Sequence, residues 1–198
     1  MKICVKHGLM ILALGLAALP VFAEQAPPWL EGDCVSLGID DQGMWTYQLT
    51  ISWDTGKHGV SHVDVIIDDS GNCSAAEIGS GLFFASPAGH GEGVPGACSV
   101  EYNAVVEDSD PSINLMAVVL KYEPRSSNGC EPGRTGGATY EFRSPYPPAA
   151  IDVEHLALIQ KFSHHSSYGT LRGVFPGLPC NPVAAETSAW GELKASYR

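Results

Sequence analysis

The chain has 198 residues, with 11 Lys and Arg against 22 Asp and Glu, six cysteines, 22 glycines and 14 prolines. Its net charge is −11, only 17% of its residues are charged, and its basic residues are scattered singly. Such a surface repels phosphate backbones and has no clustered Lys/Arg to release their counterions, which excludes nucleic-acid binding.

Residues 1–23 read as an export signal. Lys2 and Lys6 precede an apolar stretch from Leu9 to about Leu19, Pro20 breaks it, and Val21-Phe22-Ala23 ends in small residues that suit a signal peptidase. The stretch is shorter than the ~20 residues needed to cross a bilayer, and no other run approaches that length. Cys4 precedes the apolar run, so it forms no lipobox. No membrane span is therefore expected after cleavage, and the expected location is secreted or extracytoplasmic, in the periplasm or at the cell surface. Cleavage after Ala23 removes two lysines and no acids, which takes the length from 198 to 175 and the charge from −11 to −13. The expected organisation is a signal peptide at 1–23, one domain at 24–186 and a short tail at 187–198.

Five cysteines then remain: Cys34, Cys73, Cys98, Cys130 and Cys180. In an oxidising compartment they read as disulfides with one thiol left over. Spacing alone leaves fifteen arrangements open. The favoured pair is Cys73 with Cys98, because the Gly/Pro-rich segment between them would otherwise be loose. Closing that loop is worth roughly 3–4 kcal/mol on the chain-entropy model. No Cys-x-x-Cys is present, so a zinc ribbon or a thioredoxin-like site has no support.

From Trp45 to Trp53 every odd residue is large and apolar and every even one is polar, the period of a strand with one buried face. That places Trp45 and Trp53 on the core face and leaves only Trp29 as an exposed indole. The turn residues Asp54 to Gly59 lead to a second alternating run, Val60 to Asp68. Val63, Val65 and Ile67 fall on one face of it, with Asp64 and Asp68 opposite, and the two runs read as an antiparallel hairpin. Further strands are expected at Leu82–Ala85, Ser99–Val106, Ile113–Tyr122, Ala138–Arg143, His155–Phe162 and Thr170–Phe175. The stretch from Gly79 to Gly96 reads as a long loop around a short strand. Ser74-Ala75-Ala76-Glu77 fits a capping box opening one helical turn stopped by Gly79. The pattern predicts an all-β fold: a single β-sandwich, immunoglobulin-like or related, of about eight short antiparallel strands with long Gly/Pro loops and disulfides.

Catalytic residues do not stand out. Ser61, His62 and Asp64 supply a nucleophile, a base and an acid, but neighbours in an extended strand face opposite ways, so Ser61 and His62 should not meet. No Gly-x-Ser-x-Gly elbow exists. His155, His164 and His165 would form a metal site if their segment is a hairpin. The loop acids Asp68, Asp69, Asp108 and Asp110 would suit calcium in a loose oxygen cage. An EF-hand is excluded, because Cys73 and Gly79 stand where its glycine and bidentate glutamate belong.

Several residues together, Trp45-x-Tyr47, Val60-Ser61-His62-Val63, Asp110-Pro111-Ser112, Cys130-Glu131-Pro132-Gly133, Gly177-Leu178-Pro179-Cys180 and the terminal Trp190-Gly191-x-Leu193-Lys194-x-x-Tyr197-Arg198, resemble uncharacterised secreted β-rich bacterial proteins that end in Trp-Gly-x-x-Lys-x-x-Tyr-Arg. The resemblance spans almost the whole mature chain and implies export and a sandwich fold. It implies no activity. The tail, with Trp190, Leu193 and Tyr197 at helical spacing, would be a helix docked on the sandwich or an export address.

The leading expectation is a non-enzymatic exported module with a surface, adhesion or ligand-binding role. Its loops would meet a protein or glycan partner at the cell surface, with no resident cofactor beyond calcium. The alternative is an extracytoplasmic hydrolase that depends on a metal or on carboxylates.

Overall fold

The computed structural model describes residues 28–69, 71–94, 98–125, 129–161 and 166–179, without the side chains of 152–155. The signal segment, the tail, Cys180, His164 and His165 lie outside these residues. Among them are ten strands: β1 (Trp29–Ile39), β2 (Trp45–Asp54), β3 (Val60–Asp68), β4 (Phe83–Val94), β5 (Cys98–Glu107), β6 (Val118–Pro124), β7 (Glu131–Pro132), β8 (Thr135–Ser144), β9 (Pro148–Gln160) and β10 (Ser166–Pro176). One short helix, α1 (Ala75–Gly79), carries the capping box expected of Ser74 and Glu77.

The strands form a closed barrel, which overturns the expected sandwich of about eight antiparallel strands. Nine strands follow one another in the order β5-β6-β3-β9-β10-β1-β2-β8-β4, β4 pairs back onto β5 to close the ring, and β7 extends β4 outside it. β1 and β10 run parallel, whereas every other pair in the ring is antiparallel. Alternation reports only that one face of a strand is buried. That face can meet a second sheet or the inside of its own sheet rolled up, and here it does the latter.

The inside is filled. Tyr47, Leu49, Ile51 and Trp53 from β2 and Tyr140 and Phe142 from the adjacent β8 share one core with Tyr102 of β5 and Tyr122 of β6, all essentially inaccessible to solvent. The Tyr122 and Tyr140 rings stack at 3.9 Å, and Tyr102 stands edge-on to Tyr140 at 5.2 Å. Trp53 donates its indole N–H to the Gly133 carbonyl at 3.2 Å. A nine-strand wall is just wide enough for such side chains to occupy its interior.

Three sequence expectations fail here for identifiable reasons. The runs ending at Trp53 and starting at Val60 are not a hairpin: β2 pairs with β1 and β8, while β3 pairs with β6 and β9. The six residues between them cross to another part of the ring. β1 was not anticipated because it places the small Gly32 and Cys34 inward and the apolar Val35, Leu37 and Ile39 outward, the reverse of the usual signal. The supposed Gly-rich loop is mostly β4. At Gly89 and Gly93 its neighbours leave no room for a side chain: a Cβ at Gly89 would lie 2.4 Å from Tyr140 Cδ1, and one at Gly93 would lie 2.4 Å from Cys130 Sγ. Gly89→Ala should therefore cost about 1–3 kcal/mol through overpacking, read as a lower urea midpoint with an unchanged slope.

Cys98 pairs with Cys130, not with Cys73. Sequence spacing favoured bridging the Gly/Pro-rich segment, but that segment is held by ladder hydrogen bonds to β5 and β8. Cys73 is itself disulfide-bonded. Cys34 is the free thiol among the described residues, fully buried, and burial pushes its pKa up to about 12. A thiol reagent should find no reactive group in the native exported protein and one in the denatured, unreduced protein.

Candidate functional site

A buried group of titratable side chains lies on the outer wall of the barrel, not inside it. β3 turns Val63, Val65 and Ile67 into the core, as its alternation requires, but its other face is covered as well. The β5–β6 connection folds back over it, so that Ile113 and Ala117 pack on Ile66, Val119, Ala157 and Ile159 as a second, smaller apolar cluster. Beside that cluster the same connection delivers Asp110 to β3. An Asx turn fixes Asp110, whose Oδ1 accepts the Ser112 N–H at 2.6 Å and whose carbonyl accepts the Ile113 N–H at 3.2 Å.

Asp110 meets two side chains of β3 and one of β6. Its Oδ2 lies 3.1 Å from His62 Nε2 and 2.9 Å from Lys121 Nζ. Lys121 stands directly across the ladder from Asp64, and its ammonium also reaches Glu123 at 2.9 Å and Glu107 at 3.7 Å. His62, Asp64 and Asp110 are 6%, 0% and 1% exposed. They bring one imidazole nitrogen and two carboxylate oxygens within 4.8 Å of one another.

Asp64 is the anomaly of this group. It is fully buried, neither of its oxygens has a hydrogen-bond partner among the described residues, and His62 Nε2 lies 3.9 Å from its Oδ2. Such a carboxylate costs several kcal/mol unless it is protonated or meets a cation. Burial, reinforced by the neighbouring Asp110 charge, pushes its pKa up to about 8. Asp110 goes the other way. Burial raises its pKa, but the Lys121 ammonium and the Ser112 N–H overcome that and hold it at about 2. Burial and the Lys121 charge lower the pKa of His62, so at neutral pH its ring is uncharged. Burial would lower the Lys121 pKa, yet its bonds to Asp110 and Glu123 leave it raised.

Ser61 and His62 do meet, contrary to the expectation from strand alternation. Ser61 Oγ lies 3.3 Å from His62 Nδ1. The reason is a β-bulge: the register of β3 on β9 slips between Val60 and His62, so Val60 and Val63 both face the core and the two residues between them share the outer side. An extra residue of this kind re-aims side chains, which alternation counts cannot anticipate.

Of the metal candidates drawn from sequence, Asp110 alone enters this cluster. Asp68 is buried and accepts the Cys73 N–H at 2.8 Å. Asp108 accepts the Ala75 N–H at the start of α1 at 2.6 Å. Asp69 is exposed on the surface. The loop acids are thus turn-forming and helix-capping groups rather than one oxygen cage. His164 and His165, with the side chain of His155, fall outside the described residues.

No helix among the described residues is long and apolar enough to cross a membrane. In comparison with known proteins, no family model, no curated protein and no solved structure matches the chain.

Proposed function

We propose that the chain is an exported, non-enzymatic binding protein whose outer-wall cluster takes up a cation. The observation that carries this reading is Asp64, a fully buried carboxylate with no hydrogen-bond partner, aimed at His62 and Asp110. Around it, three carboxylates (Glu107, Asp110 and Glu123) share the Lys121 ammonium. A cation offsets the surplus negative charge. Export is supported by the signal-like residues 1–23, by the Cys98–Cys130 disulfide and by the resemblance to secreted bacterial proteins.

A thermal-shift screen of the EDTA-treated protein tests the reading. At least one divalent ion should raise the melting temperature of the wild type and leave Asp64→Asn unmoved, through preferential binding to the folded state. Silence across calcium, magnesium, manganese and zinc would overturn it.

One observation favours a second reading, a hydrolase with a serine nucleophile rather than the metal- or carboxylate-dependent one expected from sequence. Ser61, His62 and Asp110 stand in nucleophile, base and acid order, at 3.3 Å and 3.1 Å on opposite ring nitrogens. Ester hydrolysis abolished by Ser61→Ala would establish that reading in place of simple binding.

A further inference from the structure

Resting on the cation reading above, we propose that the ion is a transition-type divalent metal, zinc being the reference case, coordinated by His62 Nε2, one oxygen of Asp64 and Oδ2 of Asp110. Zinc bonds of about 2.0–2.1 Å in a tetrahedron place ligand atoms roughly 3.4 Å apart. The separations from His62 Nε2, 3.1 Å to Asp110 Oδ2 and 3.9 Å to Asp64 Oδ2, bracket that value. Calcium calls for six to eight oxygens. Here the protein supplies two carboxylates and an imidazole in a site almost closed to solvent.

The surroundings are those of a metal-ligating histidine. Coordination through Nε2 requires the ring proton on Nδ1, and Ser61 Oγ is placed to accept it at 3.3 Å. A polar partner on the second nitrogen fixes tautomer and ring orientation in such sites. Asp110 is held from its other oxygen by the Ser112 N–H, which leaves Oδ2 for the ion. Lys121 can give up Oδ2 to the ion, because Glu123 at 2.9 Å and Glu107 at 3.7 Å already share its ammonium. Glu123 is half exposed, and it makes an acidic approach from solvent to the buried ligands. Asp64 is fully buried, and neither of its oxygens has a hydrogen-bond partner among the described residues.

Cobalt and zinc titrations of the EDTA-treated full protein test the assignment. Cobalt should bind with a 1:1 end point and give the intense visible bands of a four- or five-coordinate site. Zinc should displace it, and a large excess of calcium should not. His62→Gln and Asp64→Asn should each weaken zinc binding at least tenfold with near-ultraviolet circular dichroism unchanged, while Asp69→Asn retains it. Binding of calcium or magnesium with no preference for zinc would overturn the transition-metal assignment and leave the cation reading standing. Zinc binding that survives His62→Gln would place the metal elsewhere and overturn the assignment. Binding of no divalent ion would overturn both.

Discussion

Replacing Asp64 with asparagine is expected to stabilise the EDTA-treated protein at pH 8 and to do little at pH 4. The folded Asp64 pKa is raised to about 8, while an unfolded aspartate ionises near ~3.9. Below about pH 4 both states hold the proton. Between that point and about pH 8 the folded state keeps a proton that the unfolded chain has released, so wild-type stability falls as pH rises, by at most about 1.4 kcal/mol per unit. Above pH 8 the loss is complete and the curve flattens. Asparagine has no proton to lose, which removes this slope. A gain of roughly 2 kcal/mol or more at pH 8 would raise the melting temperature by about 4–8 °C for a chain of this size. Asp110 contributes with the opposite sign: its folded pKa of about 2 gives stability present above an unfolded pKa near ~3.9 and lost as pH falls through about 2. Melting curves at pH 4, 6 and 8 check the first, and curves at pH 4, 3 and 2 check the second. A variant less stable than the wild type at every pH would mean that Asp64 is ionised and paired.

The second large effect is the loss of the bridge between Cys98 and Cys130. The bond ties the first residue of β5 to the chain just before β7, where β4, β5 and β7 meet and the ring closes. It spans 32 residues, a loop whose closure is worth about 3–4 kcal/mol on the chain-entropy model. The double replacement Cys98→Ser, Cys130→Ser should lower the melting temperature by roughly 10 °C, and reductant, which also opens the Cys73 disulfide, should lower that of the wild type by at least as much. A melting temperature that ignores reductant would show that ladder hydrogen bonds alone close the barrel.

Much of the wall was legible in the sequence. The alternation from Trp45 to Trp53 is β2, with Trp53 fully buried and Trp45 packed against the same core, and Val60 to Asp68 is β3 to the residue. What alternation could not carry was closure, because it says that a face is buried but not what covers it. The site was hidden by the same limit. Asp64 sits at a polar position of β3, which reads as a solvent-facing residue, and only the folded-back β5–β6 connection buries it. A signal was present nonetheless. Ile66 and Ile67 are adjacent apolar residues of opposite parity in one strand, and Ile113 follows the Asp-Pro turn, so both faces of β3 asked for cover. The meeting of Ser61 with His62 had no such signal, since the bulge is set by the register of β9 and not by β3 alone.

The most direct measurement is anomalous diffraction at the zinc edge from crystals grown with one equivalent of zinc. The account requires a single peak on the outer wall of the barrel, about 2.0–2.2 Å from His62 Nε2 and from one carboxylate oxygen each of Asp64 and Asp110. A peak at other residues, or none at all with the Lys121 ammonium still on Asp110 Oδ2, would contradict it.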